Sequence, residues 1–146
     1  MKKYLVDTNV FLRFLLKDHL KHFKIANKYF LQAKKGKIVL ILIPEVVLEI
    51  EYVLRGVYSL SKKEITGILE SLVKSPALKV VNREILIKCL DRYKKLKVDL
   101  TDLFLYETAQ KEKARVLSFD KDFTKIEKKS INTLYLRAKP LNNSRR

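Results

Sequence analysis

Two spacings of apolar residues alternate along this chain, and together they outline an α/β fold. Lys3 to Asp7 reads as a short buried strand, apolar in its middle. Val10 to Leu16 is apolar with Arg13 inside it and reads as a first helix. Asp18 is placed to cap a second helix, where Phe23, Ala26, Phe30 and Ala33 form a stripe and Gly36 follows Lys34 and Lys35 at the end. Ile38 to Ile43 is a continuous apolar run of the kind buried on both faces of a parallel sheet. Pro44 suits the first position of a helix running to about Gly56. Ser61 and Glu64 form a capping box for a helix to about Ser75. Lys79 to Val81 is a short strand, Asn82 caps a helix ending near Leu96, and Thr101 to Lys113 is a further helix. Arg115 to Phe119 and Ile131 to Leu136 close the series as strands. Strands alternating with helices imply a mostly parallel sheet. Residues 1–138 read as one domain, and the ending KPLNNSRR, residues 139–146, as a flexible basic tail.

Against this pattern four acids stand out: Asp7, Glu49, Asp102 and Asp120. Each falls at the end of an apolar strand or on the apolar side of a helix, where an unpaired charge is costly to desolvate. Asp7 ends the first strand, at the carboxyl edge where α/β sheets gather function; alternatively it caps the next helix, as Thr8 or Asn9 equally can. The third helix holds three acids. Glu49 is spaced to share the stripe of Val46, Ile50, Val53, Leu54 and Val57, Glu51 is spaced to pair with Arg55 on the surface, and Glu45 lies in the first turn, where the helix dipole favours an anion. Asp99 and Asp102 open a later helix. Asp99 serves as its cap or an auxiliary, whereas Asp102 begins the inward stripe of Leu105, Tyr106 and Ala109. Asp120 follows a strand, with Ser118 placed to bond a carboxylate or substrate, and Asp122 is expected to point away or cap the turn.

Four carboxylates with few histidines favour hard cations, Mg²⁺ or Mn²⁺. His19 and His22 lie three apart on a Lys-rich helix with no cysteine partner, which reads as a surface face rather than a zinc site. A metal held by carboxylates can activate water and stabilise charge on a phosphodiester under attack. The overall charge changes the picture in the same direction. Lys and Arg number 32 against 16 Asp and Glu, giving a net charge of +16, which points to a polyanionic partner; a merely ion-rich surface is the plainer alternative. Arg13, close to Asp7, is either a phosphate contact or a solvent-facing helix residue. Three glycines in 146 residues leave no glycine-rich phosphate loop, so neither the dinucleotide fingerprint nor the P-loop is present. Cys89 is the only cysteine and falls on an apolar helical stripe, which fits a reducing interior and core packing. The opening residues do not form a signal peptide and no run is long enough to span a membrane, so a cytoplasmic location is expected.

The ordered pattern VDTNV, LEIEYVL, DLTDLFLYETA and VLSFDKDF resembles the PIN domain, and more narrowly the VapC-type toxins of bacterial and archaeal toxin–antitoxin pairs. The resemblance spans roughly residues 3 to 125. It implies a three-layer α/β/α sandwich with a mostly parallel central sheet and a metal-dependent ribonuclease whose acids converge in a negative pocket. The family's acids match Asp7, Glu49, Asp102 and Asp120, Thr8 and Asn9 take the accompanying polar positions, and Ser118 stands where the family often has threonine. The resemblance further implies RNA as substrate, a homodimer and a cognate antitoxin. PIN domains also act in RNA processing and decay. A receiver-like phosphoacceptor would instead need an acidic pair at the first strand and a late lysine, where this chain has Thr8, Asn9 and Asp120. A non-catalytic RNA-binding module would gain from losing the four acids that are all present.

Overall fold

Five strands and seven helices alternate along residues 1–126 and 133–135, which are the residues described in the computed structural model. The order is β1 (Lys3–Leu5), α1 (Thr8–Leu16), α2 (Leu20–Lys34), β2 (Val39–Leu42), α3 (Pro44–Gly56), α4 (Lys62–Val73), β3 (Leu78–Val80), α5 (Arg83–Tyr93), α6 (Leu100–Lys111), β4 (Val116–Ser118), α7 (Phe123–Ile126) and β5 (Thr133–Tyr135). The basic tail at 139–146 lies outside the described residues.

Parallel strands cannot be joined by a tight turn, so each pairing here needs a crossover, and helices supply it. β1, β2 and β3 form a parallel sheet in that order, with Tyr4 opposite Leu40 and Leu40 opposite Leu78. The bond from the Val6 N–H to the Ile41 carbonyl, 3.1 Å, carries the first ladder one residue further, up to Asp7. Helices flank this sheet, giving the mixed α/β architecture the sequence implies. The pairing differs in one respect: β4 and β5 form a separate parallel pair, with Leu117 opposite Leu134, instead of extending the first sheet. β4 is held by its pairing with β5 and by packing against α6.

Several local rules act as read from the sequence. Pro44 takes the first turn of α3, and the Ser61 hydroxyl accepts the Glu64 N–H at 3.1 Å. Asp18 does not cap α2. Its carboxylate is drawn to Arg13 and to the Tyr58 hydroxyl, each at 3.0 Å, and the His19 ring nitrogen accepts the His22 N–H instead. Asn82 sits in the left-handed region at φ 57° and makes no side-chain capping bond. β2 alternates, with Leu40 and Leu42 buried and Val39 and Ile41 half-buried.

The core runs from Phe11 on α1 through Leu42, Ile50 and Leu54 to Leu86, Leu90 and Leu103, all at or near zero exposure. Within it, α3 faces inward with Val47, Ile50, Glu51 and Leu54. That is a correction: the stripe stops short of Val57, which is exposed, while Val53 is half-buried against the core. Glu51, expected on the surface, is only 4% exposed. Its carboxylate accepts from Arg55 Nε at 2.9 Å and from the Tyr93 hydroxyl at 3.1 Å, so a buried charge is tolerated because it is bonded from two sides. Burial and the nearby carboxylate push the Tyr93 hydroxyl well above its ordinary pKa, keeping it a donor. Cys89 is likewise buried, with its thiol pushed up to about 12, as core packing requires.

Glu51→Ala leaves the Tyr93 hydroxyl without its acceptor at full burial. Urea denaturation is expected to show a loss of about 2–4 kcal/mol; a loss under about 0.5 kcal/mol would mean this network contributes nothing.

Candidate active site

The site begins with where the backbone places its acids. α6 starts just after Asp99, so Asp102 occupies its first turn, where the positive end of the helix dipole favours a carboxylate. β4 ends at Ser118, and two short turns follow. The Ser118 hydroxyl accepts the Asp120 N–H at 2.9 Å, and Asp120 Oδ1 accepts the Asp122 N–H at 2.8 Å. These bonds fold the chain back into α7 and bring Asp120 and Asp122 against α6. One carboxylate oxygen from each of Asp102, Asp120 and Asp122 lies within 4.8 Å of the others.

Asp122 caps the turn before α7, one of the two roles its position allows, and the Asx turn on Asp120 brings it in rather than away. The Asx turn that this stretch allows is formed, through an S-x-D-x-D spacing in which each hydroxyl or carboxylate binds the backbone two residues on. The short helix α7 was missed.

Three like charges so close are mutually unfavourable. The Asp102 carboxyl is pushed above its usual range, first by burial and then by Asp120, Asp99 and Asp122. Lys125 offsets part of this from 2.8 Å off Asp122, although its side chain is about half exposed. An all-oxygen set of crowded carboxylates fits a hard divalent cation, which would replace mutual repulsion by attraction. The cluster therefore can hold an ion, with Asp102, Asp120 and Asp122 as its ligands.

The other two predicted acids form a second constellation. Asp7 caps α1, with Oδ1 accepting the Thr8 N–H at 2.8 Å. Thr8, 2% exposed, donates its hydroxyl to Glu49 Oε2 at 2.8 Å and so ties α1 to α3. The capping reading of Asp7 thus has a structural counterpart, and the Thr8 hydroxyl supports a second acid, which spacing along the chain did not indicate. Asp7 and Glu49 lie outside the three-carboxylate cluster. The premise of costly burial also fails for three of the four acids, since Asp7, Glu49 and Asp120 are exposed and Asp102 is half-buried. Of the four, Asp102 and Asp120 are brought together, with Asp122 beside them.

Asp99 takes the cap position of α6, yet its side chain makes no capping bond. It lines a cavity of about 350 Å³ with Glu51, Arg55, Lys62 and Tyr93, while its charge still acts on Asp102. Arg13 is engaged rather than free. Its Nη1 donates to both oxygens of Asp18, at 3.1 and 3.0 Å, and this pairing raises the guanidinium pKa and lowers that of Asp18. Asn9 is exposed beside Asp7, on the wall of an apolar groove.

A residue outside every motif holds the two parts of the carboxylate cluster in register. Arg92 on α5 donates Nε to Glu107 on α6 at 2.6 Å and Nη1 to the Ile126 carbonyl at the end of α7 at 3.0 Å. Its guanidinium also lies over the Tyr106 ring, 5.2 Å from the centroid. One side chain therefore connects the helix bearing Asp102 to the segment bearing Asp120 and Asp122.

The chain is thus α/β with a parallel sheet and a carboxylate cluster beyond β4. The chain matches the PIN domain over residues 4–129 and belongs to that family, whose members are generally metal-dependent nucleases. A search of curated proteins gave no significant match. Among the described residues, no helix is long and apolar enough to cross a membrane.

Two outcomes follow from this geometry. Asp102 has a raised folded pKa, so its contribution to stability is full below the unfolded value near 3.8 and is lost as pH rises through the folded value. At neutral pH, Asp102→Asn is therefore expected to raise the metal-free Tm by roughly 2–4 °C and to abolish the further rise on adding Mn²⁺. Differential scanning fluorimetry in EDTA and in Mn²⁺ checks both, and an undiminished Mn²⁺ response in the variant would remove Asp102 from the ligand set. Arg92→Met keeps the bulk of the side chain and leaves Glu107 unpaired at 6% exposure. The Arg92 side chain is 39% exposed, so the loss is discounted to about 2–3 kcal/mol in chemical denaturation.

Proposed function

We propose that this protein is an endoribonuclease that hydrolyses RNA phosphodiester bonds with Mg²⁺ or Mn²⁺, and that it is the toxin of a toxin–antitoxin pair. The observation that carries the reading is three carboxylate oxygens within 4.8 Å, on a PIN-family chain of net charge +16. Asp102 and Asp120, joined by Asp122, hold the metal. Asp7 and Glu49 complete the acidic pocket, with Thr8 fixing the Glu49 carboxylate and Asn9 beside them. Ser118 sets the direction of Asp120 through its backbone, and Asp99 adds negative potential. When bound, a divalent cation lowers the pKa of water and offsets charge on the phosphate and the leaving oxygen.

The rest of the surface suits the substrate. Excess lysine and arginine neutralise phosphates without reading sequence, which favours fast, salt-dependent capture of RNA. Arg13 can join that surface as a phosphate contact only by giving up part of its pairing with Asp18. A cognate antitoxin that covers the acids, a homodimer and a cytoplasmic location complete the reading. The single buried cysteine is consistent with a reducing compartment.

Asp7→Asn separates catalysis from binding. Cleavage of a single-stranded RNA in Mn²⁺ is expected to fall at least about 100-fold, a loss typical of removing one group that stabilises charge in the transition state. Affinity for the same RNA in EDTA should stay the same or rise. Unchanged cleavage by the purified variant would sink the nuclease reading. The toxin role is tested separately, by a small reading frame adjacent to the gene whose product blocks cleavage. An active enzyme that no such product inhibits belongs to RNA processing instead.

A further inference from the structure

Between β1 and α2 runs a groove of about 510 Å³ that meets the proposed site only at Asp7 and Asn9. Its volume falls in the usual range for ligand pockets, about 300–1,000 Å³. Its walls are strongly apolar, and four large side chains on it remain exposed: Leu5 at 64%, Val10 at 39%, Ile25 at 51% and Tyr29 at 40%. Tyr29 is held upright by an edge contact with Tyr4, ring centres 5.5 Å apart. The groove opens onto the candidate site, because Asp7 and Asn9 line it too.

The helix that forms its outer wall has an unusual charge pattern. α2 carries Lys21, Lys24, Lys28 and Lys34 and no acidic residue. None of these four lysines makes an ion pair among the described residues. Unpaired cations beside an exposed aromatic ring are what a single-stranded nucleic acid requires: charge for its backbone and a face for its bases. The Asn9 amide and the His22 ring, also on the groove wall, supply donors and acceptors for a base edge.

We propose that this groove is a nucleobase subsite for single-stranded RNA, in which an unstacked base next to the cleaved phosphate packs on Tyr29 between Ile25 and Val10. The inference rests on the ribonuclease reading above for the position of the phosphate at Asp7. The occupant is RNA rather than an apolar peptide because of two features together. The helix that forms one wall carries no acid and four lysines without an ion pair among the described residues, and the groove reaches Asp7, one of the acids of the proposed site. The subsite makes Tyr29 a specificity-determining residue and Ile25 and Val10 its supporting walls.

The test uses the full chain in EDTA, where no cleavage occurs, and a labelled single-stranded oligoribonucleotide read by fluorescence anisotropy. Tyr29→Ala is expected to raise Kd roughly ten-fold, while Tyr29→Phe, which keeps the ring, stays within about two-fold of wild type. Circular dichroism checks that both variants fold. A set of RNAs each lacking one base should contain one position whose loss weakens wild-type binding about as much. That same loss should add little to Tyr29→Ala. Equal affinity of Tyr29→Ala and wild type, full additivity of the two losses, or absence of measurable RNA binding would each overturn the subsite. Unchanged RNA affinity together with loss of a polypeptide bound by the wild type would assign the groove to a protein and likewise overturn it. The nuclease reading stands or falls by Asp7→Asn cleavage in Mn²⁺, so the two failures are distinguishable.

Discussion

The pairing of Arg92 with Glu107 is the contact on which the carboxylate cluster depends. Glu107 is buried on α6, and a buried carboxylate without a partner is costly enough that the guanidinium is held in place. Once held, its second arm reaches the last carbonyl of α7. The α6 helix and the turn after β4 are successive in the chain but are joined by no strand ladder, since β4 has three residues and pairs only with β5 among the described strands. Side-chain packing must therefore do what a continuous sheet would otherwise do. The bond falls outside every motif because its role is to fix geometry, and many arrangements of residue types can do that.

Two opposed electrostatic demands meet at the site. Asp102, Asp120 and Asp122 repel one another, and Asp102 is pushed toward its neutral form by burial and by these neighbours. The surroundings carry the opposite sign, with twice as many basic as acidic residues in the chain. The long-range field attracts a polyanion while the local field repels it, and a divalent cation relieves both conflicts. Stability is given up locally to keep the acids close, a familiar cost of functional sites.

Much of the fold was legible because it rests on local rules. Proline at the start of α3, serine before α4 and the apolar run of β2 act within a few residues, where propensity and capping dominate. The errors lie where a distant partner decides. Glu51 has a surface-like spacing to Arg55, and it makes that pair, but Tyr93, 42 residues away, makes burial affordable. Asp18 has the composition of a cap and is taken instead by Arg13 and Tyr58.

The sequence by itself determined the alternation of strands and helices, the supply of acids and the excess of positive charge, because these follow from residue type and spacing. It also carried the family pattern. Only the tertiary structure decided which carboxylates are neighbours: Asp102 with Asp120 and Asp122, and Glu49 with Asp7 through Thr8. Helical phase could not settle this, because a helix of this amphipathic kind has two flanks beside its core stripe, and which flank meets another element is fixed by packing. Glu49 and Glu51 are two residues apart and lie on different flanks. One reaches α1 and the other α5, and nothing local to α3 distinguishes them.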